Sequence, residues 1–72
     1  MTPLDARLLS AHDRGDVAAL VALYTEAADQ SQSDDAAGFY LTHAMVFALD
    51  LGLDVARDLR ARLVDMGREH PE

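Results

Sequence analysis

Apolar residues recur along the chain at the spacing of an α-helix and not at the alternation of a β-strand. The clearest series starts at Val17 and continues in three- and four-residue steps through Leu20, Val21, Tyr24, Ala27 and Ala28. Shorter series with the same period are Leu4, Leu8 and Ala11, and Val55, Leu59, Leu63 and Met66. The pattern predicts an all-α protein.

Cap and turn residues divide this pattern into four helices. Thr2, Pro3 and Asp5 form a helix start, in which Thr2 caps and Asp5 completes a capping-box-like pair. Gly15 and Gly52 suit helix ends, and Asp16 and Asp54 suit the caps of the helices that follow. The polar run 30–35 is a loop from which Ser33 or Asp34 caps the third helix. We predict helices at about 3–14, 17–29, 36–51 and 55–66.

The third predicted helix is apolar nearly all the way round, since no charged residue lies between Asp35 and Asp50. A helix that packs against one neighbour needs only an apolar stripe. One interpretation is that the other three helices cover this helix on every side. The alternative is that one side stays open and a second copy covers it, so that apolar residues of the third or fourth helix form a homodimer.

Length and charge narrow the class of protein. Seventy-two residues form one domain, with no cysteine and a net charge of −7. An acidic chain is unsuited to nucleic acids and to anionic membrane surfaces. The uncharged run 36–49 is shorter than the roughly 20 residues that span a bilayer, and the N-terminal segment does not resemble a secretory signal, so a cytoplasmic protein is expected. Thirteen alanines, six arginines and no lysine indicate a GC-rich, bacterial genome.

The chain contains an internal repeat. Asp16-Val17-Ala18 recurs as Asp54-Val55-Ala56, each time shortly after a glycine that ends a helix. Two units of nearly 40 residues suggest duplicated helical hairpins. We place hairpin one at about 3–29, hairpin two at about 35–67 and a tail at 68–72.

The first unit matches the turn and second helix of a tetratricopeptide repeat at Gly15-Asp16, Tyr24 and Ala27. The second unit matches the first-helix positions of such a repeat at Leu41, Ala44, Ala48 and Gly52. The chain therefore resembles a tetratricopeptide-repeat protein with two degenerate repeats. Leu8 and Met45 depart from the small residue usual at their position, and no aromatic fills the second-helix position of the second unit. The resemblance implies four antiparallel helices in two stacked hairpins, a fragment of a right-handed solenoid.

The resemblance also implies a protein-interaction module whose first helices line a groove. By position, the residues facing that groove are Asp5, Leu9, His12, Thr42 and Val46. An acidic and apolar groove favours a basic or apolar peptide or partner protein. The lysine and asparagine that clamp a peptide carboxylate in some members of the family are absent from this chain.

The alternative function is a small enzyme or metal-binding protein that uses His43 and, with it, His12. A histidine changes charge near neutral pH and can act as a base or a ligand. No HxxxH, HExxH, nucleophile-elbow or phosphate-loop motif accompanies these histidines, so we predict a binding protein without catalytic residues, metal or cofactor. In this prediction His43 is half-buried and forms a hydrogen bond to a carbonyl, to Thr42 or to Tyr40. His12 lies in a solvated turn, and His70 lies in the tail.

Overall fold

The computed structural model describes residues 2–68. These residues form four helices, α1 (Pro3–Arg14), α2 (Val17–Gln30), α3 (Asp34–Leu51) and α4 (Val55–Asp65), and contain no strand. The predicted all-α class is therefore confirmed. No helix in this part of the chain has the length and apolar character needed to cross a membrane. Residues 69–72 of the predicted tail, with His70, lie outside the described residues.

Three of the four helix starts are capped as the sequence predicts. The Thr2 side chain accepts a hydrogen bond from the Asp5 backbone, and the Asp5 carboxylate accepts one from the Thr2 backbone, which is a complete capping box. Asp16 caps α2 through the Ala19 backbone, and Ser33 caps α3 through the Ala36 backbone. Backbone donors that would otherwise lack partners are satisfied in this way.

The start of α4 differs from the prediction. Asp54 precedes the helix but makes no side-chain hydrogen bond to it, because its backbone is already helical at φ −62° and ψ −27°. A capping residue normally has an extended backbone, which directs its side chain back toward the first turn. The turn before α4 is formed instead by Gly52, at φ 68°, a left-handed conformation that glycine adopts without steric penalty.

Each helix packs against its neighbours along the chain, α1 on α2, α2 on α3 and α3 on α4. Two side-chain contacts join helices that are not consecutive. The ring of His12 in α1 lies 6.5 Å from that of Phe47 in α3, and Arg62 of α4 forms an ion pair with Asp29 of α2 at 2.8 Å. The resulting molecule is flat, with principal extents of 34 × 29 × 11 Å.

Two groups of buried residues hold the helices together. The larger group joins α2, α3 and α4 around Leu41 and Leu63, both fully buried, and the smaller group joins α1 and α2 through Ala11, Leu20 and Leu23. Leu59 and Leu63 of the predicted apolar face of α4 are buried, and Met66 packs against the same group. At the start of the helix Ala56 is buried instead of Val55, which is 36% exposed.

The third helix is covered on one side only. Leu41, Ala44, Met45 and Ala48 are buried, whereas Phe39, Val46 and Leu49 are 58%, 47% and 61% exposed. The interpretation that the other three helices cover α3 completely is therefore wrong. Within residues 2–68 the flat arrangement does not enclose α3, because α2 and α4 contact only part of its circumference and α1 reaches it near Phe47.

Candidate interaction surface

The exposed side of α3 carries a stripe of three apolar residues and one threonine. Phe39, Thr42, Val46 and Leu49 follow one another at steps of three, four and three residues, which places them on one line along the helix. We call these four residues the α3 stripe. The core positions of a coiled coil have the same spacing, with two positions in every seven residues.

A groove between α3 and α4 adjoins the C-terminal end of the stripe. Its volume is about 490 Å³, and its apolar walls are Met45, Leu49, Leu53 and Ala56. Asp54, Arg57 and Arg60 complete the lining, so two guanidinium groups and one carboxylate flank an apolar floor. The groove is therefore suited to an apolar or aromatic side chain that lies close to negative charge.

Aromatic rings gather on one part of the fold around Tyr24 of α2. The ring of His43 lies stacked at 5.3 Å and that of Phe47 at 5.9 Å, while Tyr40 is 6.1 Å away and His12 meets Tyr24 edge-on at 6.0 Å. Phe39 continues the row through a 4.4 Å contact with His43. These six residues, which include every Phe and Tyr of the chain, form the ring cluster, and it joins α1, α2 and the N-terminal half of the α3 stripe.

Both histidines of the ring cluster have hydrogen-bond partners within the protein. Nε2 of His12 lies 3.0 Å from the Tyr24 hydroxyl, and Nδ1 of His43 donates to the Phe39 carbonyl at 2.9 Å. The carbonyl partner predicted for His43 is thus observed, whereas His12 lies in the last turn of α1 and not in a free turn. Within residues 2–68, no three potential metal-ligating side chains lie together.

The five groove residues predicted from the tetratricopeptide resemblance are all exposed but do not form one site. Asp5, Leu9 and His12 line a groove of about 550 Å³ together with Leu8 and Tyr24. Thr42 lines a separate recess beside Phe39 and His43, and its hydroxyl donates to the Gly38 carbonyl at 2.8 Å. Val46 lies on the α3 stripe outside both depressions. The ring cluster connects the two, since Tyr24 lines the first and contacts His43 in the second.

Ion pairs link the helices along the edges of the molecule. Arg7 of α1 pairs with Glu26 of α2 at 3.1 Å, and Arg68 pairs with Asp35 at the start of α3. Arg62 of α4 likewise pairs with Asp29 of α2, so the pairs of Arg62 and Arg68 both join segments that are distant in sequence. These pairs are exposed and add little to stability, since such a pair is worth about 0–1 kcal/mol.

Sequence reasoning did not single out Phe39, Leu49 or Leu53 as members of a surface. The signal was present in the three- and four-residue spacing of Phe39, Thr42, Val46 and Leu49, but an equally apolar set of residues occupies the opposite side of α3. Periodicity identifies both sets as helix faces and does not tell which of them is buried.

The fold and the exposed surface together define a small all-α protein with an apolar stripe on its third helix. Comparison of the chain with models of protein families, with curated proteins and with solved structures found no match.

Proposed function

We propose that this protein is a helical protein-interaction module and that the α3 stripe, with the adjoining α3–α4 groove, is its docking surface. The single observation that carries the proposal is the exposure of Phe39, Val46 and Leu49 on one line of one helix. Isolated exposed apolar residues are normal on protein surfaces, but a contiguous apolar stripe bordered by polar residues is typical of an interaction site.

The arrangement of helices supports this function. Contacts between α1 and α2 run in opposite chain directions, because Arg7 reaches Glu26 while His12 reaches Tyr24. We infer two antiparallel hairpins stacked as in a tetratricopeptide-like solenoid fragment. Two further contacts support this inference, that of α1 with α3 and that of α2 with α4. Stacked hairpins commonly leave first-helix surfaces open for a partner, and solenoids of few repeats leave apolar faces incomplete.

The shape of the depressions favours docking over catalysis. Sites for small molecules bury most of the ligand in a concave cavity. Here the depressions are open surface grooves on a flat molecule. The α3–α4 groove is lined by aliphatic side chains, two arginines and an aspartate, and the groove beside α1 is lined by two leucines, Asp5, His12 and Tyr24. A partner that presents a row of apolar side chains, such as a helix or an extended peptide, fits this geometry better.

Photo-cross-linking tests the proposal. A benzoylphenylalanine placed at Phe39 is expected to cross-link a second polypeptide in bacterial cells that produce the protein, because its ring lies on the docking surface. The matched control carries the same group at Ala18, an exposed position of α2 outside the stripe. We expect the product from position 39 to disappear when Leu49→Glu is added, and to persist when Ala18→Glu, which adds the same charge, is added instead.

The proposal is wrong if positions 39 and 18 give the same products, or if Leu49→Glu leaves the product unchanged. Circular dichroism of the Leu49→Glu variant provides the folding control. Because Leu49 is 61% exposed, its helical content should equal that of the unchanged protein.

A further inference from the structure

We infer that the partner of the α3 stripe is a second copy of this chain, packed with its α3 antiparallel to the first. This inference rests on the proposed docking function of the stripe and adds the identity and direction of the partner. Three observations carry it, namely the spacing of the stripe, the charges at its two ends and the size of the face that contains it.

The spacing makes the stripe complementary to itself. In an antiparallel pair of helices, the first position of one seven-residue pattern lies opposite the second position of the other. Phe39 then lies opposite Leu49 of the second copy, and Thr42 lies opposite Val46. The two-fold axis crosses the interface at the level of residue 44 along α3. Each contact therefore occurs twice, as a closed two-fold interface requires.

The charges at the ends of the stripe favour the antiparallel direction. Asp34 and Asp35 occupy the first turn of α3, where Arg68 pairs with Asp35, so this end carries one more negative charge than positive. Arg57 and Arg60 line the groove beside the last turn together with Asp54, so the groove carries one more positive charge than negative. Antiparallel packing brings the acidic end of each copy to the arginine-lined groove of the other. Parallel packing would instead place acidic end against acidic end, which is unfavourable in a chain whose net charge is already −7.

The groove provides a place for the largest side chain of the stripe. Phe39 of the second copy, lying opposite Leu49, enters the space of about 490 Å³ bounded by Leu49, Leu53 and Arg57. An aromatic ring there contacts apolar walls and approaches a guanidinium group, a favourable cation–π geometry. Phe39 is 58% exposed in the single chain, so this insertion buries apolar surface that otherwise contacts water.

The extents of the molecule are also compatible with a dimer interface of standard size. Standard interfaces take about 800 Å² from each partner. The broad side of this molecule measures 34 × 29 Å, and the α3 stripe runs along the longest of its helices. One copy packed on the other turns a flat molecule into a two-layered one, and α3 then has neighbours on both sides.

Disulfide trapping tests the direction of packing, and the absence of native cysteine makes it specific. The single variants Phe39→Cys and Leu49→Cys are purified and then oxidised, both separately and as a mixture. Intact mass spectrometry without reductant then gives the masses of the disulfide-linked dimers. In the antiparallel pair the two positions face each other, so we expect the mixed species. Neither variant should link to itself, because ten residues of helix separate the equivalent positions by about 15 Å, beyond the reach of a disulfide.

A charge exchange gives an independent readout. Arg57→Glu and Asp34→Arg should each weaken self-association about tenfold or more in sedimentation equilibrium, whereas an equimolar mixture of the two should associate as the unchanged chain does. Each chain of the mixed pair then meets opposite charge at both ends. The matched control is Asp13→Arg mixed with Ala18→Glu, exposed changes on α1 and α2 away from the stripe and the groove, which should leave self-association unchanged both singly and on mixing.

Other outcomes overturn the inference in distinguishable ways. Self-linked products of each single-cysteine variant would indicate parallel packing. A chain that sediments at 7.8 kDa at all concentrations, while position 39 still cross-links another protein, would refute the second copy as partner and leave the docking function standing. A monomer that gives no cross-link from position 39 would refute both.

Discussion

At the residue scale, the side chain of Tyr24 connects α2 to both α1 and α3. Its ring packs against Tyr40, His43 and Phe47 of α3, and its hydroxyl meets His12 of α1. The helical spacing predicts that Tyr24 lies on the apolar face of α2. The contact of its hydroxyl with a histidine depends on where α1 lies against α2, and no spacing within one helix specifies it.

Two substitutions at position 24 separate the ring from the hydroxyl. Tyr24→Phe should lower the free energy of unfolding by less than about 1 kcal/mol, because it removes one hydrogen bond to an exposed histidine. Tyr24→Ala should lower it by about 3 kcal/mol, because the ring contacts with α3 are lost. Urea unfolding at one fixed protein concentration measures both values. Equal losses in the two variants would contradict a role for the ring in joining the helices.

At the scale of the element, local sequence accounts for most helix boundaries. Thr2, Asp16 and Ser33 cap α1, α2 and α3 because each side chain reaches a backbone donor three residues later, a distance set by the chain itself. Asp54 looks equivalent in sequence but does not cap. The extra residue Leu53 between Gly52 and Asp54 lengthens the second turn, and Asp54 lies there with a helical backbone.

The two aspartates at corresponding positions of the repeat provide a matched pair of cap variants. Asp16→Ala should lower the free energy of unfolding by about 1 kcal/mol, because the Ala19 backbone donor loses its partner. Asp54→Ala should change it by less than about 0.5 kcal/mol, because no side-chain cap is lost. Thermal and urea unfolding of the two variants measure the difference. A larger loss for Asp54→Ala would show that this side chain caps α4 after all.

At the scale of the whole molecule, the flat arrangement decides which apolar residues are covered. Leucines at positions 63 and 49 are the same residue type on predicted helices, yet one is fully buried between α3 and α4 and the other is 61% exposed. The difference arises because α4 and α2 occupy one side of α3, and none of the helices in residues 2–68 occupies the other. In a chain of this size few buried side chains are available, so each contributes a large share of the stability.

The contrast between these two leucines is testable. Leu63→Ala should lower the free energy of unfolding by about 2–5 kcal/mol or prevent folding, because it leaves a cavity at the centre of the larger buried group. Leu49→Ala should change the unfolding of the dilute single chain by less than about 0.5 kcal/mol, and should weaken association instead. Urea unfolding in dilute solution gives the first quantity and sedimentation equilibrium the second. A large loss of single-chain stability in Leu49→Ala would indicate that the stripe belongs to the core.

The sequence by itself determined the all-α class, the number of helices and nearly all of their ends. These properties depend on residues three or four positions apart, whose relation along a helix is fixed by its geometry. Only the tertiary structure decided that α3 is open on the side of Phe39, Val46 and Leu49, that His12 contacts Tyr24, and that Arg62 and Arg68 pair with Asp29 and Asp35. Each of these depends on how separate helices lie against one another. A helix that is apolar all round is compatible with several such arrangements, and the packing of its neighbours selects which side remains in contact with water.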